Sequence, residues 1–546
     1  MTGTGAGRGG RLLGRLRPVA AVLLAGAVVA GCTDAGGQSQ DPSGAPTTLP
    51  PLPPPTADGA TGGTGAGGGG EGHPTHDPAT DPAYARFYDQ EPAWEDCGPG
   101  TECTAVTVPV DWADPDGETL DLAVVRRRTD GDAVGALFMN PGGPGASGVE
   151  YVGDYGDLVT TRDLRDAYDL VGFDPRGVGA SEPIDCLDDA ELDEFLAAEV
   201  DPTTPEGLAA MRADAEELGR ACAADAGELL GHVDTVSAAR DLDVLRAALD
   251  QERLHYLGKS YGTLLGATYA DLYPGRVGRM VLDGALDPAQ SFTDVSIGQA
   301  EGMERALRAY AEDCGSRSDC PLRGDLDERL DQVRQVLEDA EQQPLRTGDP
   351  QRPLTASLAF YGLIAALYDP ESWPVLDQAL GQALAGDGAG LLALADVYAG
   401  REEDGSYGSN LLEVFNAVNC LDYPVDADPE SMAATAQRLE EVSPTFGEAL
   451  AYGEVLCDAW PVEAVREPAP VHASGAPPIL VVGTTGDPAT PYAWAVALAE
   501  QLDSGRLLTY EGEGHTAYMR GSACVDRAVD RYLIDGVLPG EGATCG

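Results

Sequence analysis

Short apolar runs alternate along the chain with longer segments in which apolar residues recur every three or four positions. The short runs are typical of strands covered on both faces, and the longer segments are typical of amphipathic helices. One such helix covers residues 235–249, with Thr235 as the expected N-cap residue. This alternation predicts an α/β fold with a doubly wound, mostly parallel sheet. The predicted strands are 105–110, 120–126, 136–139, 170–173, 254–257, 280–282, 479–482 and 507–510.

The pattern changes in the second half of the chain. From about residue 288 to 468 the strand signals fade, and amphipathic helices such as 326–337 and 432–442 dominate. We interpret residues 290–465 as a large helical cap insertion, since strand patterns resume after it. The insertion divides the α/β core into a first part at 81–289 and a C-terminal part at 466–546.

The first 80 residues contain no pattern that could build a core. Four arginines precede the apolar run 18–31, which is too short to span a bilayer comfortably and has the proportions of a secretory signal. It ends in Val29-Ala30-Gly31-Cys32, which resembles the lipobox of bacterial lipoproteins. We therefore expect residues 1–31 to be a signal peptide and Cys32 to be lipidated; the alternative is an ordinary cleaved signal with an incidental cysteine. Residues 32–80, rich in Gly and Pro, are expected to be a disordered tether.

The cysteine count agrees with export to the outer face of the cell membrane, or with secretion. Without Cys32 ten cysteines remain, and an even number in an exported chain indicates disulfides. No C-x-x-C pair is present, so zinc-ribbon and thioredoxin interpretations lack support. Hundreds of connectivities are open to ten cysteines, but their spacing favours sequential pairs: Cys97–Cys103, Cys186–Cys222, Cys314–Cys320, Cys420–Cys457 and Cys524–Cys545.

The charge balance excludes several classes of partner. Asp and Glu total 91 against 34 Lys and Arg, a formal net charge of -57. Nucleic acid and anionic lipid surfaces are therefore disfavoured, and we expect membrane contact only through the lipid anchor. Hydrophobic residues make up 43% of the chain, which excludes global disorder. The sequence carries no signal for an oligomeric state.

Ser260 lies in a G-x-S-x-G motif that follows the predicted strand 254–257 and precedes a helical segment at 263–273. This context indicates a nucleophile on a sharp strand-to-helix turn. Small flanking residues are needed because side chains there would collide with neighbouring elements. The start of the following helix favours negative charge that develops near the serine. Ser260 is therefore the expected nucleophile.

A nucleophilic serine requires a base, and the base requires an orienting acid. With this motif the chain order is serine, acid, histidine. Only His472 and His515 follow Ser260; His515 lies in a glycine-rich loop after a predicted strand, whereas His472 lies in a linker before the expected acid. Asp487 follows the strand 479–482 and is the expected acid, with Asp283 as the second choice.

Acyl transfer also requires donors that stabilise an oxyanion. One is the backbone N–H of Tyr261, directly after the nucleophile, and we expect the second to be that of Gly143, in the glycine-rich loop after strand 136–139. Arg176 and Asp174 are interpreted as a structural pair. Lys259 is expected to point away from Ser260, which disfavours a Ser-Lys dyad.

These motifs together resemble the α/β-hydrolase fold and, more narrowly, the secreted tripeptidyl aminopeptidases and proline iminopeptidase-like enzymes of actinobacteria. The resemblance runs from about residue 84 to the end and is less distinct at 290–465, apart from 417–422. It is carried by Phe87-Tyr88-Asp89-Gln90, Asn140-Pro141-Gly142-Gly143-Pro144-Gly145, Asp174-Pro175-Arg176-Gly177-Val178-Gly179, Gly258-Lys259-Ser260-Tyr261-Gly262, Gly486-Asp487-Pro488-Ala489-Thr490-Pro491 and Gly514-His515-Thr516.

The resemblance implies an exopeptidase that releases short peptides from free N-termini. Such an enzyme needs an acid that pairs with the substrate ammonium, and Glu413 and Asp422 are candidates. The triad chemistry requires no metal or organic cofactor. Two alternatives remain open: an esterase or lipase on the same scaffold, and a non-catalytic surface lipoprotein that keeps the fold as a binding module.

Overall fold

A computed structural model describes residues 77–546; the predicted signal peptide, Cys32 and nearly all of the predicted tether lie outside this range. One ten-stranded sheet has the order β1-β2-β3-β5-β4-β6-β7-β8-β9-β10. All eight predicted strands are confirmed, and each is longer than predicted. The strands are β1 (Glu95–Gly98), β2 (Thr101–Pro109), β3 (Thr119–Arg127), β4 (Ala136–Asn140), β5 (Asp169–Phe173), β6 (Leu254–Lys259), β7 (Val277–Asp283), β8 (Ile479–Gly486), β9 (Gly505–Glu513) and β10 (Ala543–Cys545).

The sheet is antiparallel at one end and parallel over the rest. The pairs β1–β2, β2–β3 and β3–β5 are antiparallel. The pairs from β5 through β4 and β6 to β10 are all parallel. All five residues of β4 are buried, as are most residues of β6 and β7, which explains the continuous apolar runs in the sequence. Parallel pairing brings the carboxyl ends of β4, β6, β7, β8 and β9 to one edge.

Helices cover both faces of the sheet, and nine of them, α9 to α17, lie between β7 and β8. In that stretch the described chain forms no strand of the sheet, and its only β-pairing is in isolated bridges such as Leu345–Leu354. The cap boundaries at residues 290 and 465 remain a prediction. The helices are α1 (Ala85–Tyr88), α2 (Gly148–Gly153), α3 (Gly156–Val159), α4 (Arg162–Ala167), α5 (Asp189–Ala197), α6 (Pro205–Ala226), α7 (Thr235–Ala248), α8 (Tyr261–Leu272), α9 (Phe292–Ser316), α10 (Leu326–Gln342), α11 (Ala356–Leu367), α12 (Trp373–Ala383), α13 (Ala389–Ala399), α14 (Leu411–Asp422), α15 (Pro429–Val442), α16 (Gly447–Leu450), α17 (Glu454–Asp458), α18 (Tyr492–Gln501) and α19 (Ala523–Asp535).

The cap has an apolar core of its own. Its buried residues come mainly from α9 to α13, and Leu192 and Leu196 of α5 join them. The layer over the sheet therefore includes a helix from the first part of the core as well as the insertion. Two further clusters cover the two faces of the sheet. No helix within residues 77–546 is long and apolar enough to cross a membrane.

The ten cysteines within residues 77–546 form five disulfides, in the sequential pairs that the spacing favours. The bond Cys420–Cys457 joins α14 to α17 within the cap. The bond Cys524–Cys545 joins α19 to the edge strand β10. The covalent links therefore lie in both the cap and the core.

Three local expectations are wrong. Asp234, and not Thr235, is the N-cap residue of α7, since its carboxylate accepts the N–H of Ser237 at 2.9 Å. Residues 77–80 of the predicted tether contact the body of the protein, where a short 3₁₀ turn follows Asp77 and its carboxylate pairs with Arg276.

The third error concerns Arg176. This fully buried guanidinium pairs with Asp241 of α7 through two bonds of 2.7 Å, and it also donates to the carbonyl of Val110. Asp174 instead accepts the hydroxyl of Ser147 at 2.6 Å. The structural role expected for the arginine holds, but its partner comes from a distant helix rather than from its own loop.

Candidate active site

Ser260 follows β6 directly and precedes α8, as the motif predicts. Its backbone has φ 53° and ψ -124°, a region in which residues other than glycine are strained by about 1–3 kcal/mol. A Cβ at Gly258 would lie 2.3 Å from the carbonyl oxygen of Gly262, and one at Gly262 would lie 2.7 Å from Oδ1 of Asn140. The turn that presents the serine therefore requires glycine at both flanking positions.

His515 and Asp487 form a buried pair. Nδ1 of His515 lies 2.9 and 3.1 Å from the two carboxylate oxygens of Asp487, which is fully buried. Burial by itself raises the pKa of Asp487, but the charge and hydrogen bond of His515 and two backbone N–H donors outweigh it, so the pKa is below its usual value. An ionised carboxylate can only accept, so Nδ1 carries the proton of this hydrogen bond, and in a neutral imidazole the lone pair then lies on Nε2.

The sheet places this pair and Ser260 at the ends of nearby strands. The N–H of Ser260 donates to the carbonyl of Asp283, the last residue of β7, at 3.0 Å. A Cβ on the next residue, Gly284, would lie 3.4 Å from Cε1 of His515. Ser260 and His515 thus both contact the segment that ends the intervening strand. The serine, the acid and the histidine therefore lie at one edge of the sheet.

The loop that carries His515 is held by carboxylates at the ends of two strands. Thr516 has φ 64°, an unfavourable region for a β-branched residue, and its N–H donates to Asp487 at 3.0 Å. Asp283 accepts the N–H groups of Ala517 and Tyr518, each at 2.9 Å. Asp283, the second choice for the triad acid, therefore binds the loop backbone, whereas Asp487 binds the imidazole.

The glycine-rich loop after β4 packs directly onto the nucleophile turn. Gly142 has φ 107°, and a Cβ there would lie 2.7 Å from the carbonyl oxygen of Lys259 and 3.2 Å from the amide nitrogen of Tyr261. Gly143 follows with φ 104°. Only glycine allows the two backbone segments to approach this closely. The loop and the start of α8 therefore lie side by side.

The side chain of Lys259 reaches the loop after His515, where Nζ donates to the carbonyl of Tyr518 at 2.8 Å.

The two other histidines considered lie elsewhere. His255, inside β6, accepts the N–H of Arg279, and burial lowers its pKa to about 4. His472 is exposed and contacts the carbonyl of Gln501.

The two candidate acids for a substrate ammonium have internal partners. Glu413 is buried, and its carboxylate accepts the N–H groups of Cys186 and Leu187 at 2.7 and 2.9 Å. Asp422 is also buried and binds the backbone and hydroxyl of Thr235, at the start of α7. These contacts favour a role in joining the cap to the core over a role in binding substrate.

Two residues of the site were not predicted from the sequence. The carbonyl of Tyr368, just after α11 of the cap, accepts the N–H of His515 at 2.8 Å, and its ring packs edge-on against the imidazole. Thr490 donates its N–H to Asp487 at 2.8 Å, and its hydroxyl lies 3.4 Å from Nδ1 of His515. The spacing of Asp487 and Thr490, typical of an Asx turn, is a signal for the latter; no local pattern identifies Tyr368.

A cavity of about 310 Å³ opens beside His515, between the cap segment after α11 and the end of β9. Its walls combine aromatic rings with charged groups, including an ion pair of 2.7 Å between Arg520 and Asp369. The lining residues are Tyr368, Asp369, Pro370, Glu371, Trp373, Tyr510, Glu513, Gly514, His515, Thr516 and Arg520.

The sequence matches one protein family and is similar to several named proteins. Residues 443–545 match the family described as TAP-like protein. Serine protease Hip1 of Mycobacterium tuberculosis is 39% identical over 462 residues, which cover 82% of this chain and 87% of that protein. A protein named carboxylesterase B from the same organism is 39% identical over 453 residues, 81% and 86% of the two chains. Tripeptidyl aminopeptidase of Streptomyces lividans is 33% identical over 474 residues, 83% and 86% of the two chains.

Proposed function

The chain belongs to the TAP-like family of α/β-hydrolases, and we propose that it is a serine peptidase that releases short peptides from free N-termini. The observation that carries the proposal is the buried His515–Asp487 pair, at the same edge of the sheet as Ser260, which lies on a strained strand-to-helix turn. Peptidases among the relatives support amide hydrolysis as the reaction.

In the proposed mechanism Ser260 attacks the scissile carbonyl while Nε2 of His515 takes the hydroxyl proton. Asp487 keeps the imidazole in the required tautomer and stabilises its charged form. The N–H groups of Tyr261 and Gly143 donate to the oxyanion of the tetrahedral intermediate. His515 then protonates the leaving amine, and water attacks the acyl-enzyme with the same histidine as base.

The alternative of an esterase on the same scaffold is favoured by one specific observation. The relative named carboxylesterase B is as similar to this chain as the relative named serine protease Hip1, at 39% identity for each. Both reactions use the same nucleophile, base and oxyanion donors. The leaving group and the recognition of a substrate ammonium therefore separate the two functions.

We further propose that the protein works outside the cytoplasm. Five disulfides in the described chain are typical of an oxidising compartment. The lipobox-like sequence before Cys32 supports a lipid anchor on the outer face of the cell membrane. Peptides in that compartment are the proposed substrates.

A panel of anilides with one to four residues tests the proposal. Each peptide is supplied with a free and with an acetylated N-terminus, and p-nitrophenyl esters are measured in parallel. A peptidase acting on free N-termini cleaves the free anilides at least about tenfold faster than the blocked ones, because a paired ammonium contributes about 1.5–3 kcal/mol. Equal rates for both series would overturn the exopeptidase assignment, and turnover of the esters alone would support the esterase.

A further inference from the structure

Lys259 is the only lysine in the sequence, although arginine is frequent. It is the last residue of β6, directly before Ser260, and only 9% of the residue is exposed. Its ammonium donates to the carbonyl of Tyr518 at 2.8 Å. An ammonium is a compact charge on an unbranched stem, whereas a planar guanidinium presents five donors that need more acceptors. The position therefore suits lysine and not arginine.

Asp283 holds the same loop from the neighbouring strand. It ends β7, is fully buried, and accepts the N–H groups of Ala517 and Tyr518 at 2.9 Å. Burial raises the pKa of Asp283, and the charge of Lys259 acts against that shift. Burial likewise lowers the pKa of Lys259 to about 8, while Asp283 raises it. Each charge thus makes the other less costly to bury.

The two residues bind both backbone polar groups of Tyr518, which belong to two successive peptide units of the loop. The N–H of Tyr518 donates to Asp283 and its carbonyl accepts from Lys259, three residues after His515. Strand β6 therefore ends with Lys259, whose ammonium holds the loop that carries His515, and Ser260 follows directly after it. A displacement of this loop changes the distance between the imidazole and the serine hydroxyl.

We propose that Lys259, together with Asp283, is a positioning residue that fixes residues 515–518 and thereby sets the imidazole of His515 against the hydroxyl of Ser260. The inference rests on the proposed function, since the alignment matters only if these two groups exchange a proton. Lys259 does not contact substrate in this scheme. It acts through the backbone of the loop after the histidine.

The test uses the full-length protein and the variants Lys259→Met and Asp283→Asn. Methionine keeps the unbranched stem without the charge, and asparagine keeps the volume and one oxygen acceptor. Two assays are used. The first gives kcat and KM for a free peptidyl anilide. The second gives the rate at which a fluorophosphonate labels the serine, and this rate depends on the base but not on the binding of a peptide. Both variants should lose about 10- to 100-fold in kcat and in labelling, with KM within about twofold, because small misplacements of reacting groups are costly.

Arg279→Met is the matched control. Arg279 is a partly buried cation that donates to the carbonyls of Leu533 and Ile534, near the start of β7 and far from its carboxyl end. Its loss should lower the Tm and leave kcat and labelling unchanged.

The inference is overturned if Lys259→Met and Asp283→Asn lower the Tm as the control does but keep kcat and labelling within about twofold of the unsubstituted protein. Should Lys259→Met not fold, Asp283→Asn decides by the same criterion. An unsubstituted protein that neither cleaves anilides nor becomes labelled contradicts the proposed function itself, and this inference with it.

Discussion

Asp487 and Glu413 are both buried carboxylates, but their surroundings shift their pKa values in opposite directions. Burial raises the pKa of Asp487, and the charge and hydrogen bond of His515 reverse that effect, so the group stays ionised. Burial also raises the pKa of Glu413, to about 7, because two backbone N–H donors compensate it only partly. Asp487 stays ionised because its partner is an imidazole that can carry a positive charge, whereas the hydrogen-bond donors to Glu413 are neutral.

Asp487→Asn should lower kcat by about 10³- to 10⁴-fold with little change in Tm. The carboxamide nitrogen can donate to Nδ1 of His515, which favours the wrong tautomer and leaves no base at Nε2. Steady-state kinetics on a peptidyl anilide, with circular dichroism to check folding, measure the effect. A folded variant within tenfold of the unsubstituted enzyme would remove Asp487 from the triad.

Glu413→Gln should change the pH dependence of stability and not the binding of substrate. Because the folded pKa is raised to about 7, the native state holds the extra proton between about pH 4.5 and 7, and stability falls as pH rises through that window. A shift of this size corresponds to about 3 kcal/mol in the free energy of unfolding. The glutamine variant, which keeps the oxygen acceptor, should show a correspondingly flatter curve in urea unfolding at pH 4.5, 6 and 8.

The KM of Glu413→Gln distinguishes the two roles considered for this residue. A residue that only joins the cap to the core leaves the KM for a free peptidyl anilide unchanged. A rise in KM of tenfold or more, with no rise for the acetylated anilide, would instead assign Glu413 to the substrate ammonium.

Single residues differ in how far the sequence reveals their role. The positions of Ser260, Asp487 and His515 at strand ends were predictable because each follows an apolar run typical of a strand, and parallel strands end at one edge. The partner of Arg176 was not, since Asp241 lies on a helix 65 residues away while Asp174 lies two positions away in the same loop. Contacts made by the fold, and not by the local sequence, determine such pairs.

At the scale of elements, the nucleophile turn depends on how closely β6 and α8 approach each other. A Cβ at Gly258 would lie 2.3 Å from the carbonyl oxygen of Gly262 and 2.5 Å from Cε1 of Tyr256. Neither the backbone of Gly262 nor the buried ring of Tyr256 can shift freely, so an added Cβ at this position would displace the strand or the helix. The position of the serine at the end of the strand is therefore sensitive to one methyl group.

Gly258→Ala should destabilise the protein by about 1–3 kcal/mol and abolish most activity, because the extra methyl group overpacks the turn. The control is Gly275→Ala, an exposed turn position where an added Cβ has no neighbour within 4 Å, and it should stay within about 0.5 kcal/mol. Urea unfolding and anilide turnover measure both. Equal effects of the two substitutions would contradict the close approach described for the turn.

The elements themselves follow the hydrophobic pattern, and the exceptions have physical reasons. The edge strands β1 and β10 were not predicted, because both are short and neither contains an apolar run; β1 is also largely exposed. Helix α8 begins at Tyr261, two residues earlier than predicted, since its first turn starts inside the glycine-containing motif. In the cap, helices were expected, but the packing of α5 with them depends on contacts between distant segments.

At the scale of the whole molecule, a disulfide links helices within the cap, and buried contacts attach the cap to the core. Helix α14 starts against the glycine-rich loop after β4, where a Cβ on Gly145 would lie 2.6 Å from the carbonyl of Leu411, and it ends at Asp422, which binds the start of α7. The bond Cys420–Cys457 then ties this helix to α17. The cap is therefore attached to the active-site loops through α14.

Replacing Cys420 and Cys457 together by alanine should cost up to about 4 kcal/mol, because the bond closes a loop of 37 residues. The matched control is the pair Cys97–Cys103, whose loop of six residues predicts only about 2 kcal/mol. Urea unfolding of the two double variants under oxidising conditions compares them. A larger loss from the shorter loop would mean that local strain and packing, and not loop closure, dominate.

The most direct test of the proposed triad is to find which residue a fluorophosphonate labels. The protein is treated at neutral pH, digested, and the adduct is located by mass spectrometry, with Ser260→Ala and His515→Ala treated in the same way. The proposed triad predicts one adduct, on Ser260, that is absent from Ser260→Ala and forms at least about 10³-fold more slowly in folded His515→Ala. An adduct on another serine, or labelling of Ser260 at an unchanged rate without His515, would contradict it.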